Sequence, residues 1–187
     1  MMNKEIPTMA TKQSFQTYKG FAVYPWINKA DTEYNSEGVY KTGLRVPADQ
    51  AKELMKLVQE VAMDEFGAKK ADKARMPWKV DDETGEIIIN AKSKFQPKVY
   101  DSEGQYIPPE RLPQIWGGSV LRLKGVINAY DTSGNTGVSL QLSGIQVIEL
   151  AERQNGDDGF DAVEGGFKAS TESETNGEKE EGFSADF

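Results

Sequence analysis

The chain of 187 residues contains no cysteine and no histidine. Without cysteine it can have no disulfide framework, no thiolate metal site and no cysteine nucleophile. Without histidine it lacks the side chain that most zinc sites and most acid–base schemes near neutral pH use. A Mg²⁺ site made of carboxylates is formally open, but the acidic run Asp81-Asp82-Glu83 indicates a turn instead. We therefore predict a protein that is not an enzyme and that has no metal and no cofactor.

Long apolar runs are also missing. No stretch approaches the ~18 residues that a membrane-spanning helix needs. Residues 1–13 are polar and lack the apolar region of a signal peptide. These features predict a soluble, cytoplasmic protein with a flexible N-terminal lead over residues 1–13 and no membrane partner.

The net charge of −8 lies entirely in the last 37 residues. Residues 151–187 contain 11 acidic and 3 basic side chains, whereas residues 1–150 contain 19 of each. This composition predicts a disordered acidic tail. A purely solvating tail would have no use for its terminal Asp-Phe, so we expect Phe183, Asp186 and Phe187 to bind a basic, apolar pocket on a partner.

The alternation of apolar and polar residues predicts seven strands and one helix between residues 14 and 150. The helix covers residues 47–66, with Pro47 at its start, Gly67 after its end and one apolar stripe. Pro25 is expected to end the first strand or to place it at an edge, and residues 131–137 are predicted to form a turn. Many short strands and one helix favour an OB-like five-stranded barrel. The predicted strands cover residues 15–27, 39–46, 86–95, both arms of a hairpin over 98–107, 119–130 and 138–150.

Three of these strands place two cations each on the face opposite their apolar residues. Aromatic residues lie close to them in sequence, and cations interleaved with aromatics suit an unpaired nucleic acid. Each candidate also has a structural alternative: outward cations can simply be solvated, tryptophans can belong to the core, and the basic stretch 68–79 can be an ordinary surface loop. The candidate DNA-binding residues are Trp26, Lys41, Arg45, Trp78, Lys92, Lys94, Tyr100, Arg122, Lys124 and Tyr130.

Several segments, taken in order, resemble the single-stranded DNA-binding proteins of podovirus-type phages, the gene-two-point-five-like family. No single segment is specific, but their order along the chain is. The matching segments are residues 24–31 (YPWINKAD), 38–47 (GVYKTGLRVP), 76–77 (MP), 99–105 (VYDSEGQ), 117–119 (GGS), 138–151 (VSLQLSGIQVIELA) and the terminal Asp-Phe.

The resemblance implies an OB domain over residues 14–150 that binds single-stranded DNA without regard to sequence during replication, recombination and repair. It implies an acidic tail over residues 151–187 that occludes the DNA groove and recruits the phage DNA polymerase and primase-helicase. The location would be the host-cell cytoplasm, with a homodimer left open. The family's DNA-contacting aromatic falls on Tyr130. Its central-strand cation falls on Asn90, so Lys92 and Lys94 are predicted to substitute for it.

Two other classes of function remain open at the level of sequence. An RNA-binding OB module would use the same groove, and its preference for oligo-U over oligo-dT would distinguish it. An acidic interaction scaffold would act through its tail, so that deleting the tail would abolish function instead of strengthening binding.

Overall fold

The computed structural model describes residues 13–152, all of which belong to the first of the two units into which the chain divides, Met1–Arg153. The predicted lead over residues 1–12 and tail residues 153–187, with Phe183, Asp186 and Phe187, lie outside the described residues. The described elements are β1 Ser14–Gln16, β2 Gly20–Asp31, β3 Val39–Val46, α1 Ala48–Phe66, α2 Ala68–Ala71, β4 Trp78–Val80, β5 Ile87–Ser93, β6 Lys98–Tyr100, β7 Tyr106–Ile107, a 3-10 turn Pro109–Arg111, β8 Val120–Thr132 and β9 Asn135–Glu149.

Five strands close into a ring in the order β2, β3, β5, β9, β8 and back to β2. The β5–β9 pair is parallel and the other four pairs are antiparallel. Short strands extend this ring: β1 pairs with β8, β4 with β5, and the β6–β7 hairpin with β9. The predicted five-stranded barrel is confirmed.

The barrel interior is filled by branched aliphatic side chains from every strand of the ring. One face of each strand points into the barrel, as the alternation predicted. The cations of these strands therefore lie on the outer face, opposite the buried apolar residues. Fully buried members include Ile27, Leu44, Ile89, Leu121, Leu123, Leu140, Leu142 and Ile145.

Helix α1 contacts β8 and β9. Its apolar stripe is buried at Ala51, Leu54, Val58 and Ala62, at the spacing of one helix face. The helix ends at Gly67, whose φ of 75° few other residues adopt and whose N–H donates to the Met63 carbonyl. The predicted helix is confirmed to within one residue.

Three predicted local features differ from the structure. The predicted strand over residues 15–27 is two strands, because the chain breaks at Thr17, whose hydroxyl accepts a hydrogen bond of 2.9 Å from the Leu123 N–H. Pro25 does not end β2: the strand bulges between Val23 and Trp26 and continues. The predicted turn over residues 131–137 shortens to residues 133–134, since Thr132 already pairs with Asn135.

No helix within residues 13–152 is both long enough and apolar enough to cross a membrane. The same residues contain no group of three or more acidic side chains arranged to hold a metal ion.

Candidate nucleic-acid interface

A groove of about 480 Å³ opens on the outer surface of β3, β5 and the start of β9. We call it the front groove. Its lining includes Gly43, where a Cβ would lie in tight contact with Val23 at 3.2 Å and Ile88 at 3.3 Å. The polar and aromatic residues along it are Tyr24, Lys41, Thr42, Lys79, Asn90, Lys92, Tyr130 and Ser139.

Two lysines of the front groove are direct cross-strand neighbours. Lys41 on β3 lies opposite Lys92 on β5, and Lys92 lies opposite Gln141 on β9. Like charges in directly opposed positions destabilise a sheet. This arrangement therefore favours negative charge beside the two lysines, which Asp31 supplies at Lys41.

Of these two lysines, Lys41 is neutralised by a carboxylate of the protein, Asp31. Its Nζ lies 2.5 Å from Oδ2 of Asp31, which is nearly buried and also accepts a hydrogen bond from the Glu33 N–H. The hydrogen bond from Lys41, helped by that from Glu33, lowers the pKa of Asp31 despite its burial. Asp31 therefore stays ionised near neutral pH. Within residues 13–152, Lys79 and Lys92 form no ion pair.

Tyr130 is held at the edge of the front groove by a glycine. It lies opposite Gly137 in the β8–β9 ladder. A Cβ on Gly137 would come within 2.7 Å of the tyrosine Cζ and 2.9 Å of the Arg75 carbonyl oxygen. The ring is therefore packed against bare backbone, which fixes its position beside the groove.

Tyr24 is a groove residue that the candidate set omitted. It sits in the bulge of β2 with φ of 46°, an uncommon conformation for a residue other than glycine, and its side chain is 85% exposed. Bulges re-aim side chains and are frequent beside functional sites. Its sequence signals were an aromatic side chain near the cationic strands and the following proline, which favours extended backbone and does not indicate a bulge.

A second group of candidates lies elsewhere on the barrel. Tyr100, Arg122 and Lys124 line a separate depression of about 260 Å³, which we call the rear pocket. The Lys124 Nζ is 4.8 Å from the centroid of the Tyr100 ring, within the range of a cation–π contact. The lysine's aliphatic stem lies across Gly144.

The β8–β9 hairpin connects these two surfaces. Tyr130 and Lys124 occupy the same face of β8, six residues apart, which corresponds to about 20 Å along a strand. The predicted DNA-binding residues on this hairpin therefore share a face but belong to two depressions.

The remaining candidates lie outside both depressions. Arg45 is engaged by two carboxylates, at 3.4 Å from Asp81 and 3.7 Å from Glu86. Trp78 packs against the hydrophobic core, which favours a structural role for this tryptophan over contact with DNA.

Two further candidates stay near the front groove. Trp26, 39% exposed, pairs in register with Lys41, while Lys94 is exposed just beyond the end of β5. Lys92 and Lys94 were predicted to replace the family's central-strand cation, whose position Asn90 occupies here. Of the two lysines, only Lys92 lines the front groove, together with Asn90.

Solved structures with the same architecture include proteins of two phages. The chain superposes on gp2.5, a single-stranded DNA-binding protein encoded by bacteriophage T7, with a TM-score of 0.66 and 25% identity, over 85% of this chain and 100% of that one. The fold is that of phage single-stranded DNA-binding proteins. The single-stranded DNA-binding protein of bacteriophage Enc34 matches with a TM-score of 0.60 and 18% identity, over 79% and 90% of the two chains.

A structure of the Enc34 protein in complex with single-stranded DNA also matches, with a TM-score of 0.60 and 17% identity, over 74% of this chain and 88% of that one. No protein-family model matches the sequence. No curated protein matches it either. The resemblance inferred from the segments of the chain is confirmed at the level of structure. The neighbours are binding proteins by name, which agrees with the prediction of a protein that is not an enzyme.

Proposed function

We propose that the protein binds single-stranded DNA, without regard to sequence, in the front groove. The observation that carries this proposal is the grouping of Lys79 and Lys92, which lack ion pairs within residues 13–152, with Tyr24 and Tyr130. Cations neutralise phosphates, and exposed aromatic faces stack on any base.

The structural neighbours support the same conclusion. The protein of bacteriophage T7 that matches over its whole length is named as a single-stranded DNA-binding protein, and one Enc34 structure contains single-stranded DNA. These names favour DNA over RNA as the ligand of this groove. They also favour a phage protein acting on single strands in the cytoplasm of a host cell.

A salt titration of oligo-dT binding tests the proposal. Two to three phosphates held by Lys41, Lys79 and Lys92 predict a slope of log K against log salt of about −1.4 to −2.1 or steeper, since each single-strand contact contributes about −0.7. Fluorescence anisotropy of a labelled oligonucleotide measures this slope. Mixed-sequence DNA should bind within a few-fold of oligo-dT, and oligo-U no more tightly than oligo-dT. Binding that is absent, or that is insensitive to salt, would contradict the proposal.

We also propose that residues 1–13, 14–150 and 151–187 act as lead, OB domain and acidic tail. The tail would compete with DNA for the groove and recruit the DNA polymerase and primase-helicase during replication, recombination and repair. This role of the tail is supported by its net charge of −8, since residues 1–150 carry no net charge. Because the tail belongs to the same chain, its local concentration does not fall on dilution.

Deleting residues 152–187 should tighten oligo-dT binding several-fold at about 0.05 M salt, and the gain should shrink as salt increasingly screens the tail. The matched variant Phe187→Ala keeps the tail's acidic side chains, so its DNA affinity should stay close to that of the full chain while its capture of replication proteins falls. Equal DNA affinity of the full and shortened chains at low salt would show that the tail does not compete.

A further inference from the structure

Four cations surround a depression of about 410 Å³ at the tip of the β8–β9 hairpin. They come from α2 and the turn after it, part of the basic stretch 68–79, and none of the four is among the candidate site residues. All four side chains are exposed. We call this group, formed by Lys69, Lys70, Lys73 and Arg75, the α2 cluster.

The α2 cluster is tied to the hairpin by three contacts. Lys70 Nζ lies 3.2 Å from Oδ2 of Asp131, whose other oxygen accepts a hydrogen bond from the Thr136 hydroxyl. The Arg75 N–H donates to the Thr136 carbonyl at 2.9 Å, and its carbonyl accepts from the Val138 N–H at 2.8 Å. The position of the cluster relative to β9 is therefore fixed by backbone and side-chain bonds.

Most of the cluster's charge is available to a ligand. Lys70 is offset by Asp131, whereas Lys69, Lys73 and Arg75 form no ion pair within residues 13–152. Asp72 is exposed beside them but does not line the depression. The α2 cluster contains no aromatic side chain, so it can hold anionic groups but cannot stack bases.

The α2 cluster meets the front groove at Tyr130. Thr136 lines the cluster, Val138 lines the groove, and Gly137 between them lies under the Tyr130 ring. Thr136 and Val138 are two residues apart, about 6.6 Å along an extended strand, which is comparable with the distance between successive phosphates of an extended single strand. A strand stacked on Tyr130 in the groove therefore reaches the cluster with its next phosphates.

We propose that the α2 cluster is an extension of the DNA-binding surface that holds the phosphates of the nucleotides leaving the front groove past Tyr130. This inference rests on the proposed function of that groove. Continuity with the groove favours a nucleic-acid strand over an acidic peptide as the occupant. The extension would lengthen the site by a few nucleotides without adding base contacts.

The test compares two double variants of the full chain. Lys69→Gln with Lys73→Gln removes two cluster charges, and Lys52→Gln with Lys56→Gln removes two charges at the same spacing from exposed positions on α1. Affinity is measured for oligo-dT from about 4 to 20 nucleotides, which brackets the usual site sizes of OB folds. Circular dichroism melts confirm that both variants fold.

The cluster variant should bind the shortest oligonucleotides like wild type, yet lose roughly 10- to 30-fold for the longest at about 0.1 M salt. Its salt slope for the long oligonucleotide should be smaller by about 1.4, the equivalent of two phosphate contacts. The α1 variant should retain the wild-type dependence on length.

Four results would overturn the extension. One is an unchanged affinity for long oligonucleotides, which leaves the front groove as the whole site. Another is an equal loss at every length or in both variants, which indicates a general field effect. If wild type binds no oligonucleotide at all, the proposed function has failed and the extension fails with it. A loss of inhibition by an added peptide of residues 151–187, with DNA length dependence intact, would assign the cluster to an acidic peptide instead.

Discussion

Reversing the charges of Lys79 and Lys92 together is expected to weaken single-strand binding on the order of 100-fold at about 0.1 M salt. Two lost phosphate contacts alone account for roughly 25-fold, because each contributes a slope of about 0.7 in log K against log salt. The introduced carboxylates then repel the phosphates that the lysines attracted. Both side chains are exposed and form no ion pair within residues 13–152, so Lys79→Glu with Lys92→Glu should leave folding intact.

The matched control reverses Lys52 and Lys98, which are exposed, form no ion pair within residues 13–152 and do not line the front groove. Lys52→Glu with Lys98→Glu changes the net charge equally and should lose far less affinity. Anisotropy titrations of both variants with the same oligo-dT decide the matter. Equal losses in the two variants would mean that net charge, and not this groove, governs binding.

Removing the ring of Tyr130 is expected to reduce oligo-dT affinity about 5- to 150-fold, the equivalent of about 1–3 kcal/mol for one stacked base. The ring lies at the junction of the front groove with the α2 cluster, so its loss affects the strand at both surfaces. Tyr130→Phe keeps the stacking face and should bind close to wild type.

Tyr106 provides the matched control for Tyr130. It is about half exposed and contacts Tyr100 edge-on, with 6.0 Å between ring centroids, away from the front groove. Tyr106→Ala should leave oligo-dT affinity nearly unchanged in an anisotropy titration. A change below a few tenths of a kcal/mol for Tyr130→Ala in a folded protein would assign that ring to covering Gly137 and not to stacking.

The inward faces of the strands could be predicted because a barrel wall buries one side of each strand. Leu121, Leu123 and Ile127 alternate with polar residues over a long stretch, and the structure buries all three. The helix was equally predictable, because one apolar stripe runs between Pro47 at its start and Gly67 just after its end. Local periodicity therefore gave the fold class without any knowledge of strand order.

The grouping of the outward residues could not be predicted, because it depends on which strands become neighbours. The parallel pairing of Lys92 with Gln141 joins positions about 50 residues apart and leaves no local signal. Ion pairs could not be predicted for the same reason, because strand pairing is what brings Asp81 close enough to Arg45 to form one. One shared outward face was predicted, and the structure distributes it over two depressions.

Closure of the ring has a consequence for how the chain is made. Gly20 pairs with Leu121, about a hundred residues later, and Ala91 pairs with Leu140. While the chain is being synthesised from its N-terminus, β5 has no neighbour on its β9 side, and unpaired edges of this kind are surfaces along which chains associate. The front groove is lined by Val138, Ser139 and Leu140. The nascent protein therefore acquires this groove only when its last strand emerges, and the same event that covers the open edge creates the surface that we assign to DNA.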